Sequence, residues 1–358
     1  MRARVEDRLA GDLGGHLGEH RLEGRSELVP FGEGRAQILA RLGGMADKPP
    51  LGFTGHLDTV PLGARAWSMD PFAAEIADGR LYGRGSSDMK SGVAAFIAAS
   101  LAHANRLAGT PGVLLVITAG EETGCTGAEA LVREHGRLGR VGALVVAEPT
   151  GNRPLVGHKG ALWLEAETQG VTAHGSMPEK GVNAVYKAAR AVSALQEFDF
   201  NVARHEVLGG ATLNVGTIHG GLNINSVPDR ASIGIDIRTI PAQSHAQIRE
   251  QLGSYLGPDV ALRTLLDAKS IWTDPKHPWV GEVSEIARSI EGVDDRIESA
   301  PYFTDASALT PALGSPPTVI MGPGELALAH QTDEYCMVAR IERATEIYAR
   351  LIRNWCWL

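Results

Sequence analysis

The feature that most constrains this chain is a repeated juxtaposition of short, densely apolar runs with an acid or a histidine where each run stops. PPLGFTG runs into His56, PGVLLVITAG into Glu121 and Glu122, and GALVVA into Glu148. Runs of this length rich in Val, Ile and Leu read as strands buried on both faces of a parallel sheet. Between them, apolar residues recur at helical spacing, from Ser91 through VAAFIAASLAHA to about Asn105 and along TGAEALVREHG from about Thr126. Alternating strand and helix predicts a doubly wound α/β layer with a mainly parallel sheet. Such layers place their sites in the crevice beyond the carboxyl ends of the strands, where His56, Glu121, Glu122 and Glu148 all fall.

The texture changes from about Lys159 to Asp267. ALWLEAETQ and RASIGIDIRT alternate as exposed antiparallel strands do, and GVNAVYKAARAVSALQEF has helical period. A helix near Trp279 to Ile290, the buried run PTVIMG and a closing helix from about Ala339 to Trp355 then resume the first pattern. The expected organisation is a first domain in two parts, 1–158 and 269–358, with an inserted α+β domain over 159–268. The 358 residues suit two or three domains. With 44% hydrophobic residues the chain can bury a core, which excludes disorder.

A balance of 34 Lys and Arg against 42 Asp and Glu, with no basic block, argues against a nucleic-acid partner. Cys125, Cys336 and Cys356 are too few and too far apart for a disulfide framework or a thiolate zinc site, which fits a reducing compartment. MRARVEDRLAGDLGG carries charges where a signal peptide needs an apolar core, and no window approaches about 18 consecutive apolar residues. A soluble, cytoplasmic protein without a membrane partner is the expectation.

Several polar residues carry chemical meaning. In GHLDTVP, His56 and Asp58 are two apart, so in extended backbone the aspartate can accept one imidazole proton and leave the other nitrogen free for a metal. GRGSSDMKSG places Asp88 in a glycine-rich loop that lacks the sixth glycine of a dinucleotide fingerprint and the lysine pattern of a phosphate loop, so Asp88 is either a ligand or a helix cap. In GEETG, neighbouring side chains in extended backbone diverge, so one of Glu121 and Glu122 can bind a metal while the other serves as a base; a surface pair is the plain alternative. His330 follows the last buried run through the turn-rich GPGE, whereas His16, His103, His135 and His277 lack acidic company and are expected to be solvated.

Together His56, Asp88, Glu122, Glu148 and His330 offer two imidazoles and three carboxylates, a donor set suited to zinc, cobalt or manganese. If one carboxylate bridges, two cations about 4 Å apart can be held, lowering the pKa of a bridging water and polarising a carbonyl. That is amide hydrolysis chemistry.

GHLDTVP, GRGSSDMKSG, GEETG, AEPT, TAHGSMPEKGVNA and GPGELALAHQTDEY, in that order from about Pro50 to Tyr335, resemble the motifs of the dinuclear zinc amidohydrolases that include acetylornithine deacetylase, succinyl-diaminopimelate desuccinylase, aminoacylase and carboxypeptidase G. The resemblance implies that Asp88 bridges, that His56 and Glu148 complete one metal and Glu122 and His330 the other, that Glu121 is the general base and that Asp58 partners His56. It implies a cis peptide at Asp88–Met89 and an inserted domain that mediates homodimerisation. It implies that His174 in TAHGSMP reaches the partner's active site to stabilise the oxyanion, and that Asn225 in NINSVP and Arg238 in DIRTIP contact substrate, the arginine through an α-carboxylate. Only 55 residues precede His56, fewer than such chains usually carry, so the packing of that sheet edge is the expected departure.

The expected activity is removal of an acyl group from the nitrogen of an amino acid. TDAS at Thr304 to Ser307 and the GPG…AHQTDEY stretch look most like the acetylornithine deacetylase branch, so N-acetylornithine is the first substrate expected. Desuccinylation and cleavage of a dipeptide or aryl amide are the alternatives. A serine hydrolase is disfavoured because G-x-S-x-G is missing, and HEVLG at His205 lacks the second histidine of H-E-x-x-H. A catalytically silent dimeric scaffold is disfavoured because so many clustered acids without metal would cost stability.

Overall fold

The computed structural model describes residues 25–358 apart from 33, 45, 46 and 135. The opening stretch, His16 and His135 lie outside the described residues. The chain divides into two compact units. One comprises the chain up to Gly157, Trp272–Ala300 and Thr304–Leu358; the other comprises His158–Ile271 and Pro301–Phe303.

The first unit is built on a mixed sheet in the order Arg25–Pro30, Ala36–Leu42, Val113–Thr118, Leu51–His56, Ala143–Val146, Thr318–Ile320, Leu155–His158. Its centre is parallel: Leu51–His56 runs with both Val113–Thr118 and Ala143–Val146, and the latter with Thr318–Ile320. Those four strands are the apolar runs singled out above, and every residue in them is buried, as expected of strands covered on both faces. The edge preceding the first ligand is made by Ala36–Leu42, antiparallel to Val113–Thr118, and by Arg25–Pro30 antiparallel to it in turn. AQILARL supplies that edge with a nearly continuous buried row.

Helices Ser91–His103, Pro278–Glu291 and Val338–Cys356 accompany this sheet. Phe53 stacks on Phe96 at 5.7 Å and meets Tyr348 edge-on at 5.3 Å, joining strand and two helices in a fully buried aromatic cluster. Each such side chain contributes about 1.5–3 kcal/mol by burial alone. The Tyr348 hydroxyl donates to the Met321 carbonyl just beyond the last strand, which satisfies its buried polar end. One histidine departs from expectation. His103 is buried at the end of its helix, where burial first and then Arg353 and Arg106 lower its pKa. His277 is exposed and caps Pro278–Glu291 by accepting from the Trp279 amide.

The second unit is an antiparallel sheet in the order Thr212–Gly220, Arg230–Thr239, Gly160–Gln169, Val260–Ala268. Its inward residues Leu162, Leu164, Ala166, Ile233, Ile235 and Ile237 alternate with outward polar ones and pack against Ala188 of Ala184–Gln196 and Leu252 of His245–Leu256. The period of two in RASIGIDIRT is the direct cause of that one-sided core. The expected return to the first domain at residue 269 needs adjustment, since Lys269–Ile271 and the detached Pro301–Phe303 go with this unit. Phe303 explains the second segment: it packs against Ala161, Leu266 and Ala268 and meets Trp163 edge-on at 6.1 Å.

Candidate metal centre and active site

The site residues of the first unit come from the carboxyl ends of the parallel strands and the loops beside them. His56 closes Leu51–His56 and is almost fully buried. Its Nδ1 lies 2.9 Å from the Asp58 main-chain carbonyl, which can only accept, so Nδ1 carries a proton and Nε2 is the nitrogen that would face a cation. That pairing differs from the expected one: the Asp58 carboxylate stands 3.7 Å from Nδ1 and instead accepts the amides of Gly120 (2.7 Å), Glu121 (3.2 Å) and Glu122 (3.1 Å). Three converging amides outcompete one imidazole for its oxygens. Asp58 therefore fixes both His56, through its backbone, and the turn that carries the two glutamates.

That turn also changes the account of how Glu121 and Glu122 diverge. The strand ends at Thr118, and the Glu121 carbonyl accepts from Gly124 and Cys125 in a tight turn. The glutamates part because the backbone curls, with Glu121 buried and Glu122 half-buried.

Asp88 follows Gly85, whose φ of 83° lets the chain reverse, and the Asp88–Met89 peptide is cis. The capping alternative is not realised: Ser91–His103 has no side-chain cap. Instead Oδ1 of Asp88 lies 3.3 Å from His56 Nε2, and Oδ2 lies 3.4 Å from His330 Nε2. Glu148, two residues past Ala143–Val146, brings Oε1 to 4.0 Å from His56 Nε2. Glu122 Oε2 is 3.1 Å from His330 Nε2. The result is two trios, His56–Asp88–Glu148 and Asp88–Glu122–His330, each with its donor atoms within 4.8 Å of one another and both containing Asp88.

The electrostatics of this cluster suit a cation. Burial holds the Glu121 and Glu148 carboxyls well above their usual range. His56 opposes that rise, and neighbouring carboxylates add to it. Burial would also raise Asp88, but hydrogen bonds from His330 and His56 outweigh it and hold the group well below the usual range. His330 is pushed up to about 10 by its bonds to Asp88 and Glu122 against burial. His56 is raised as well, since Asp88, Glu148 and Glu121 together outweigh its burial. Protons on the imidazoles thus stand where divalent charge would offset the crowded acids, and the oxygen and imidazole donors fit zinc, cobalt or manganese.

Sequence reasoning gave no role to two further groups. Asp305, in TDAS, is buried with its Oδ2 2.5 Å from the Thr118 hydroxyl, and burial raises its pKa to about 6. Glu334 is buried beside the Asp88 loop. Only the fold brings either to the site.

His174, Asn225 and Arg238 lie in the second unit. His174 is exposed, its Nδ1 2.7 Å from the Ser176 hydroxyl, and it forms a bridge with Ser226 while the Gly175 amide donates to the Asn225 carbonyl at 2.7 Å. The structure thus brings the His174 and Asn225 loops together. The Arg238 guanidinium faces Asp236, with Nε 3.0 Å from Oδ1 and Nη2 3.1 Å from Oδ2. Side-on capture of a carboxylate through Nε and Nη2 is therefore taken, which leaves the Nη1 side for a ligand.

Comparison with known proteins places these observations. The profile of peptidase family M20/M25/M40 matches residues 52–354. The chain is 31% identical to acetylornithine deacetylase of Myxococcus xanthus over 90% of its own length and 84% of that protein's. It is 30% identical to a probable succinyl-diaminopimelate desuccinylase of Staphylococcus aureus, over 91% and 89%. Among solved structures, an M20 family metallo-carboxypeptidase from Sulfolobus solfataricus superposes with a TM-score of 0.80 at 19% identity, covering 99% of this chain and 95% of that one. A dinuclear metal-binding M20 peptidase from Bacillus subtilis gives 0.71 at 17%, covering 98% and 93%.

Proposed function

This chain belongs to peptidase family M20/M25/M40 and is a metal-dependent hydrolase of amide bonds; from that premise we propose that it deacylates N-acyl amino acids, N-acetylornithine first, using two divalent cations, zinc by preference. The observation that carries the reading is that the two oxygens of Asp88 reach different imidazoles, one in each trio. His56 and Glu148 would hold one cation, Glu122 and His330 the other, with Asp88 shared. When bound, such a pair supplies Lewis acidity for the scissile carbonyl and acidifies water.

The chain's own groups do the rest. Glu121 is buried at the turn beside Glu122, a placement that lets its carboxylate accept a proton from water as the water oxygen adds to the carbonyl carbon. It then delivers that proton to the amide nitrogen as the C–N bond breaks, and the second proton of the water follows it, so that a carboxylate and an ammonium leave. Asp58 keeps the Glu121 turn and His56 in register through the three amides and the carbonyl described above. His174 remains the oxyanion donor, contributed across a homodimer, and Asn225 and Arg238 the substrate contacts.

The acetyl reading is supported by the TDAS and AHQTDEY segments and by deacetylase relatives, and the dimer by the exposed edge strand Thr212–Gly220 with Leu222 and Ile224 beyond it, 99% and 104% exposed. Three free, buried cysteines fit a reducing cytoplasm. The test is turnover by zinc- or cobalt-loaded protein on N-acetylornithine, N-succinyl-diaminopimelate, other N-acyl amino acids, dipeptides and aryl amides. The highest kcat/KM is expected for N-acetylornithine; a tenfold preference for any other class replaces that substrate, and no turnover at all sinks the reading. Glu121→Gln should lose about 10²–10⁴ in kcat with metal content unchanged.

A further inference from the structure

Glu334 is fully buried, and its two carboxylate oxygens accept four hydrogen bonds. Oε1 takes the amides of Ser87 at 2.8 Å and Asp88 at 3.0 Å; Oε2 takes the Gly85 amide at 2.9 Å and Arg84 Nη1 at 2.5 Å. Its main-chain carbonyl accepts from the Gly83 amide at 2.9 Å. Four donors fill the acceptor capacity of an ionised carboxylate. Three of them are amides of one loop, so the path of the backbone into Asp88 is wound around this single side chain.

The clamp reaches further. Arg84 also donates to the Pro61 carbonyl at 3.3 Å and lies 5.0 Å from the Trp67 ring centroid, which ties in the segment that follows His56 and Asp58. Glu334 itself stands four residues after His330. One buried carboxylate thus connects the segments that carry His56, Asp88 and His330.

We propose that Glu334 is the positioning residue that sets where the Asp88 carboxylate stands between the two imidazoles. The inference rests on the reading of Asp88 as the shared ligand. A carboxamide cannot take over the role. Whichever way it lies, its NH2 end confronts two donors, either the Ser87 and Asp88 amides or the Gly85 amide and the guanidinium. The loop must then move, and Asp88 moves with it.

The experiment titrates the chelator-stripped full chain with Co(II), following visible absorption and bound metal, for wild type, Glu334→Gln, Glu334→Asp and Asp333→Ala. Glu334→Gln should weaken at least one site about tenfold or more and alter the cobalt spectrum, and should lower kcat with KM unchanged, while far-UV circular dichroism stays that of wild type. Glu334→Asp, which keeps the charge one methylene short, should fall between the two. Asp333→Ala, at a neighbour whose carboxylate accepts from the Ser68 amide at 2.7 Å and from no amide of the Asp88 loop among the described residues, should bind cobalt as wild type does.

Wild-type affinity and spectrum in Glu334→Gln, whatever its melting temperature, overturn the proposal and leave a structural ion pair. If that variant does not fold, Glu334→Asp decides by the same readouts, and wild-type binding there overturns it. A wild-type chain that binds fewer than two ions removes the two-metal reading instead; the clamp is then judged on the remaining ion, whose affinity must still fall in Glu334→Gln.

Discussion

Gly92 offers a test of how the scaffold controls the site. It lies at the start of Ser91–His103, and a Cβ added there would stand 2.2 Å from the Ala147 carbonyl oxygen and 2.8 Å from the Ala147 Cβ. Ordinary contact begins near 3.5 Å, so Gly92→Ala must push helix and strand end apart by about 1 Å. Ala147 is not free to yield, because its amide donates to the Thr54 carbonyl at 3.0 Å in the central sheet. Overpacking of this kind costs about 1–3 kcal/mol, against which alanine returns up to about 1 kcal/mol of helix propensity. A net loss of about 1–2 kcal/mol lowers Tm by roughly 2–8 °C for a unit of this size.

The displacement falls on the residue preceding Glu148, so cobalt affinity should drop together with Tm. Gly281→Ala is the matched control. Gly281 sits inside Pro278–Glu291 with nothing within 4 Å of the added carbon, and the same chemical change should raise stability by about 0.5–1 kcal/mol. Calorimetry with and without chelator, plus metal analysis, reads both. A Gly92→Ala protein that melts at or above wild type with full metal content would refute the packing argument.

Metal affinity should climb with pH. Both imidazoles are raised by their carboxylate neighbours, His330 to about 10, and each must shed its proton before it can bind. Binding near neutrality therefore releases protons, and affinity rises with pH until those groups have titrated; titration calorimetry in buffers of different ionisation enthalpy counts the protons, and a pH-independent affinity contradicts the cluster. At His103 the sign runs the other way. Its lowered pKa in the folded chain means stability is complete above the unfolded value near 6.5 and is lost as pH falls toward the folded one, so His103→Leu should flatten the acid limb of a Tm–pH curve. Replacing Leu222 and Ile224 together by aspartate should yield monomers in sedimentation without changing the fold of the second unit, since both side chains are fully exposed.

How much of this was legible follows from where each group sits. A ligand that must follow a buried strand is announced by the strand: VLLVIT and ALVV are fully buried, and the acids just beyond them sit at the crevice because the chain has nowhere else to emerge. Second-unit boundaries were harder to see, because Phe303 joins that core from 35 residues beyond Ala268 in a segment with no period of its own. What Asp58 does through its backbone and its amide partners is hidden from the sequence for a related reason. Spacing of two in a strand says which side chains share a face, and it says nothing about three amides arriving from residues 120–122.

Glu334 shows the same effect most strongly. Nothing in DEY singles it out, because its partners include backbone amides 246 to 249 residues earlier, and backbone donors carry no signature of sequence. The ligands are visible because their side chains act; what holds them is hidden because it acts on main chain. The direct consequence is that substitutions at Glu334 and Gly92, neither of which offers a donor to a metal, should disturb metal binding more than substitutions at most exposed acids, including Asp333.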